Sequence, residues 1–133
     1  MRYLGVDPGS QRLGLALGDD STGVVTALSI VPYAGAEAAA RTIVEMAGTH
    51  HAQRVVMGLP TSADGSETPA CRRSHVIADA IAALGLAVSM QPEYLSTDEA
   101  RRRARAAGIG RRQPVDHFAA QVLLEDFLEE HGR

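Results

Sequence analysis

At 133 residues, with 45% apolar and 22% charged residues, the chain has the length of one globular domain spanning 1–133 and is too short for two independent cores. No run approaches the roughly 18 uninterrupted apolar residues of a membrane span, and Met1-Arg2-Tyr3 leads straight into a strand-like run without a signal peptide, so the expectation is a cytoplasmic protein with no membrane partner. The formal net charge of −3 argues against nucleic acid only if charge is spread evenly. It is not: every basic residue is an arginine, Arg101, Arg102, Arg103, Arg105, Arg111 and Arg112 share one short stretch, and Glu125, Asp126, Glu129 and Glu130 crowd the end. The single cysteine, Cys71, excludes an intramolecular disulfide and a cysteine zinc site, and reads as a small core residue.

Residues 2 to 7 form a short apolar run closed by Asp7-Pro8-Gly9-Ser10, in which Pro8 fixes φ and Gly9 tolerates a turn, so a buried strand is expected. A second run, about Leu13 to Leu17, and a third, Val24 to Val31, follow after short polar turns and complete an antiparallel meander. Ala39, Ile43, Met46 and Ala47 keep helical spacing up to Gly48, and Arg54 to Leu59 is β-branched enough for a strand. After the loop from Pro60, Thr68 and Pro69 suit the N-cap and first position of a helix whose stripe is Ile77, Ala80, Ile81 and Leu84, ending at Gly85. Leu86 to Met90 is a further strand. Ser96-Thr97-Asp98-Glu99 has the spacing of a capping box and opens a helix closed by Gly108 and Gly110, and Pro114 precedes a last helix with Val115, Phe118, Ala119, Val122 and Leu123 on one face. The order β-β-β-α-β-α-β-α-α implies an α/β fold of ribonuclease H-like type, a five-stranded mixed sheet with its first three strands antiparallel and helices on its faces.

In that topology the first and fourth strands are neighbours and the fifth flanks the fourth. Asp7 at the end of the first strand, Glu93 after the fifth and Asp116 at the start of the last helix then approach one another. Three converging carboxylates repel, and such a cluster is tolerable mainly as a site for hard divalent cations, Mg²⁺ or Mn²⁺. Two such ions about 3.5–4 Å apart can activate water and stabilise the leaving oxygen of a phosphodiester. Asp116, in a first helical turn, is favoured as the anion by the helix dipole. Each acid also has a plain alternative: Asp7 as an Asx-turn residue, Glu93 as a solvated loop acid, Asp116 as a favourable N-terminal charge.

Leu4-Gly5-Val6-Asp7-Pro8-Gly9, Arg12-Leu13-Gly14-Leu15-Ala16, Gly58-Leu59-Pro60 with Asp64-Gly65-Ser66, Glu93-Tyr94-Leu95-Ser96-Thr97, and Val115-Asp116 with Ala119-Ala120 together resemble the YqgF-type family of pre-16S rRNA nucleases, also called Holliday junction resolvase-like proteins. The resemblance covers nearly the whole chain in the family's order. It implies a ribonuclease H-like fold, a Mg²⁺- or Mn²⁺-dependent nuclease, a role at the 5′ end of pre-16S rRNA, and catalytic, metal-binding acids at Asp7, Glu93 and Asp116. The chain departs from the family at Pro92 and Tyr94, which flank Glu93 in place of an Asp-Glu-Arg block, at Gln11 before Arg12, and in the short Arg111-Arg112-Gln113-Pro114 run.

Arg12, Arg101, Arg102, Arg105, Arg111 and Arg112 are the candidates for tracking a phosphate backbone, beside the plainer reading of a solvated helix face. His117 and Ser66 are auxiliary candidates: His117 reads as an exposed first-turn histidine that could shuttle a proton, and the loop holding Ser66 as a plain connection or a phosphate cradle. Tyr33 and Tyr94 are the candidate exposed stacking residues. The expected partners are RNA, as pre-rRNA in ribosomal precursor particles, or structured DNA, with the protein a monomer or homodimer; a resolvase cutting two strands symmetrically requires the two-fold dimer. The competing classes are a non-catalytic nucleic-acid-binding module and a phosphotransferase fragment of actin-like or sugar-kinase-like type, the latter needing a second copy of the fold to enclose its nucleotide.

Overall fold

The computed structural model describes residues 1–9, 11–62, 64–93, 97–108 and 114–131, with the backbone alone for 97–101. Strands β1 (Arg2–Pro8), β2 (Arg12–Asp19), β3 (Val25–Pro32), β4 (Arg54–Leu59) and β5 (Ala87–Pro92) form one sheet in the order β3-β2-β1-β4-β5. The first three are antiparallel, while β4 runs parallel to β1 and β5 parallel to β4, as the element order implied. Helices α1 (Ala36–Thr49), α2 (Cys71–Ala83), α3 (Thr97–Ala106) and α4 (Asp116–His131) complete the chain. Among the described residues no helix is long and apolar enough to cross a membrane.

Alternation along β1 divides the core. Leu4 and Val6 join Leu13, Leu15, Val55 and Met57 under α1 and α2, whose Ile43, Ile77 and Ile81 are fully buried. Tyr3 points the other way and joins Ala16 and Val56 beneath Ala120, Leu124, Phe127 and Leu128 of α4. The sheet is therefore covered on both faces, which suits a central strand as apolar as β1.

Three sequence expectations are corrected. Thr68 does not cap α2: its hydroxyl donates to the Pro60 carbonyl at 2.7 Å, closing the 60–68 loop, and the helix starts at Cys71 behind an uncapped Ala70. Leu84 lies past the last helical residue and is 51% exposed, because Gly85 turns the chain there at φ 93. The stripe on α4 is split: Val115, Phe118 and Ala119 pack with Ala104 of α3, while a second face built on Ala120 and Leu124 meets the sheet. Glycine explains the second face. A Cβ on Gly5 would stand 3.1 Å from Leu124 Cβ and 3.2 Å from the Ala120 carbonyl oxygen, so the helix lies directly on strand backbone and an alanine suffices as its contact. Ser96, the first residue of the capping box, lies outside the described residues.

Candidate active site

The carboxylates are brought together by two glycines flanking Asp7 in the sheet. In the antiparallel register Asp7 lies opposite Gly14, so the Asp7 side chain and the position where a Gly14 side chain would be share the face covered by α4. That position is taken by α4 itself, since a Cβ on Gly14 would lie 1.9 Å from the Asp116 carbonyl oxygen. On the other side, Val6 pairs with Met57, which puts Gly58 one step further on beside Asp7. A Cβ on Gly58 would stand 3.0 Å from Glu93 Oε2 and 3.2 Å from Leu123 of α4. The sheet thus gives up two side chains, and the space is filled by the elements carrying the other two acids. Glu93 is anchored by its N–H, which donates to the Leu59 carbonyl at 2.7 Å, and Ser74 of α2 supports the same strand end by donating its hydroxyl to the Gly58 carbonyl at 2.7 Å.

The electrostatics follow from this crowding. Desolvation and the adjacent Asp7 charge push the Glu93 carboxyl far above the ordinary range, so that it holds a proton and donates it in a hydrogen bond to Asp7. Desolvation and the nearby Asp116 charge raise Asp7 as well, with the hydrogen bond from Glu93 opposing them. Asp116 is turned toward solvent on its other side, where Arg12 Nε donates to Oδ2 at 3.2 Å. The turn between β1 and β2 is held by the Gly9 N–H, which donates to the Arg12 carbonyl at 2.9 Å.

Among the described residues no group of three His, Cys, Asp or Glu is closed around a single metal position. The donor chemistry nonetheless fits a hard divalent cation. It consists of carboxylate oxygens alone, and a cation would replace the proton that desolvation and like charge force onto the pair.

The remaining candidates scatter. Arg102 and Arg105 are exposed on α3, and Arg103 pairs with Glu125 of α4 at 2.7 Å. The side chain of Arg101, together with Arg111, Arg112 and Tyr94, lies outside the described residues. Ser66 belongs to an exposed knot in which the Asp64 carboxylate accepts from the Ser62 and Ser66 hydroxyls at 2.5 and 2.6 Å and from the Ser66 N–H at 2.9 Å, which holds Asp64 well below the usual carboxylate range. The amides of Ser62 and Gly65 are occupied within the same loop. His117 is not the exposed histidine expected: its Nδ1 is buried without a hydrogen-bond partner among the described residues, its ring packs 4.3 Å from that of Phe118, and burial lowers its pKa. The close seating of α4 on Gly14 draws residue 117 inward. Cys71 is buried, as expected. One residue escaped sequence reasoning altogether. Arg73 of α2 donates from Nη1 to the Gly9 carbonyl at 2.7 Å and lies 4.9 Å over the Tyr33 ring. No local pattern marks a contact made across 64 residues of sequence.

Residues 1–130 match the family described as RuvX: Holliday junction resolvase. The chain belongs to this family. It is 38% identical over 136 residues to an Anaeromyxobacter dehalogenans protein named "Putative pre-16S rRNA nuclease", covering 99% of both chains. A Myxococcus xanthus protein of the same name is 33% identical, covering 98% of this chain and 89% of that one. In fold the RuvX-family chain is similar to Thermus thermophilus RuvC in complex with a Holliday junction (TM-score 0.62, 15% identity, 99% of this chain and 97% of that). The fowlpox virus resolvase in complex with Holliday junction DNA is also similar (TM-score 0.56, 12% identity, 98% of each chain). These likenesses bear out the ribonuclease H-like fold.

Proposed function

We propose that this RuvX-family protein is a divalent-metal-dependent nuclease that hydrolyses phosphodiester bonds in RNA, in the maturation of the 5′ end of pre-16S rRNA. The observation carrying the reading is the convergence of the Asp7 and Glu93 carboxyls at the ends of β1 and β5, with Asp116 brought beside them by the seating of α4 on Gly14. The relatives' name supplies the RNA substrate. Asp7, Glu93 and Asp116 would hold Mg²⁺ or Mn²⁺, which supplies Lewis acidity toward phosphodiester oxygens and generates a nucleophile from water at neutral pH. Within the chain, Asp7 and Glu93 release their shared proton, Gly14 and Gly58 hold Asp116 and Glu93 to the pair, and Arg12 offers a cation beside Asp116 for a substrate phosphate. Burial lowers the His117 pKa, against the raising effect of the adjacent Asp116 charge.

The test is cleavage of labelled single-stranded RNA, duplex RNA and a four-way DNA junction by wild type and Asp7→Asn, in Mg²⁺, in Mn²⁺ and in excess chelator. Wild type should cut RNA only with a divalent ion, and Asp7→Asn should not cut. Cleavage in chelator would remove the metal scheme, while preference for the junction would favour the resolvase reading that the family's description carries.

A second expected result concerns α3. Replacing Arg102 and Arg105 with alanine should weaken RNA binding about equally across sequences and lower the slope of log K against log salt by roughly 0.7 for each phosphate no longer neutralised. An unchanged slope would remove α3 from the interface.

A further inference from the structure

We propose that Arg73 is a preorganised contact for a phosphate of the substrate strand, on the side of the site away from α3. The proposal rests on the nucleic-acid reading above and adds a residue to it. Arg2 and Arg103 are paired with carboxylates, those of Asp19 and Glu125, and Arg54 ties β4 to β5 by donating to the Ser89 hydroxyl at 3.0 Å. Among the described residues no carboxylate pairs with Arg73. Its contacts are a neutral carbonyl, that of Gly9, and the face of Tyr33. Neither cancels the charge, and the carbonyl takes one N–H of the five that a guanidinium offers. The residue is half-buried, so its charge is less screened than that of a solvated arginine.

Both contacts also fix the side chain. Stacking on an aromatic ring and donating to main chain leaves a planar fork with little rotamer freedom to give up on binding an anion, the form in which arginine recognises phosphate best. The position agrees. Gly9 is two residues past Asp7, and Tyr33 follows the last residue of β3, Pro32, which pairs with Arg12. Arg73 therefore stands at the same end of the sheet as the carboxylates but comes from the α1/α2 face, whereas the carboxylates lie on the α4 face. A strand laid across that end meets Arg73 on one side and Arg12 on the other.

The rival account is that Arg73 only braces the turn through Gly9. Arg73→Gln separates the two, since the amide can still donate to the carbonyl but carries no charge. Arg2→Gln is the control: Arg2 also donates to a main-chain carbonyl, that of His50, but at the opposite end of the sheet. Binding of fluorescein-labelled single-stranded RNA is followed by anisotropy in metal-free buffer across a potassium chloride series, with circular dichroism of each variant. Arg73→Gln should bind about 3- to 10-fold more weakly near 0.1 M salt, with the slope reduced by roughly 0.7 and an unchanged dichroism spectrum, while Arg2→Gln keeps the wild-type slope. Wild-type slope and affinity in Arg73→Gln overturn the proposal and leave the nuclease reading standing. If wild type shows no salt-dependent binding of RNA or of the junction, the nucleic-acid reading itself falls and takes the proposal with it. Should Arg73→Gln fail to fold, Tyr33→Leu is measured instead. It frees the guanidinium without removing its charge, so binding should weaken about threefold at unchanged slope, and undiminished affinity overturns the preorganised contact.

Discussion

Glu93→Gln should abolish cleavage and at the same time make the metal-free protein more resistant to heat at pH 8. Glutamine keeps the size of the side chain and, through its amide N–H, the hydrogen bond donated to Asp7, but it cannot serve as an anionic ligand. Cleavage should fall about a hundredfold or more, with RNA affinity nearly unchanged. The stability gain follows from linkage. Both acids titrate above their usual values of 3.8 and 4.5, so the folded protein keeps a proton that the unfolded chain releases. Stability is therefore full below that usual range and declines as pH rises from it toward the raised values. Removing the Glu93 carboxyl removes much of that decline. Melting curves from pH 5 to 8 should fall for wild type and stay flatter for the variant, and added Mg²⁺ or Mn²⁺ should raise the wild-type curve at pH 8 more than the variant's. Asp98→Asn and Glu99→Gln should leave single-turnover cleavage mostly intact. Robust cleavage by Glu93→Gln would end its assignment as a ligand.

Gly14→Ala should disable the protein without touching a carboxylate. The new Cβ would fall 1.9 Å from the Asp116 carbonyl oxygen, 2.1 Å from its carbon and 2.7 Å from the His117 nitrogen. These are backbone atoms and cannot rotate away, so the start of α4 must lift off β2. Asp116 then leaves the Asp7–Glu93 pair, and the Ala120–Leu124–Phe127 packing loosens behind it. A destabilisation of about 3 kcal/mol is expected, with cleavage falling in a variant that retains every acid. Gly48→Ala provides the contrast. Gly48 sits within α1 with nothing within 4 Å of its added Cβ, so that variant should be stabilised by about 0.5 kcal/mol and cleave normally. Equal melting temperatures for the two variants would show that α4 is not seated as described.

Strand order and the three acids were legible because both rest on short local signals: apolar runs between turn residues, and motif blocks that include Asp7, Glu93 and Asp116. The seating of α4 was not. Hydrophobic periodicity looks for large side chains, and here the helix meets the sheet through Ala120 against Gly5 and Asp116 against Gly14, where closeness comes from what is missing. The burial of His117 is hidden for the same reason. Arg73 and Tyr33 lie 40 positions apart and meet only after α2 docks beside the end of β3, so neither carries a signal in its own neighbourhood. Thr68 shows the opposite failure: a residue with good capping chemistry found a better acceptor eight positions back, at Pro60.

The contact of α4 with β1 and β2 also fixes when the site can exist. Asp7 lies in β1 and Asp116 opens α4, far later in the chain, and the two meet only when α4 settles onto Gly5 and Gly14. While a nascent chain is still shorter than α4, β1 and β2 expose bare main chain where the helix will lie and the third carboxylate is absent. Pairing of β1 with β4 and packing on α1 and α2 can proceed meanwhile. Closing the longest-range contact is the slow part of folding such a topology. The three acids are therefore brought together only once α4 has been made and has docked, and a chain cut short before residue 116 has most of the sheet and lacks the third carboxylate.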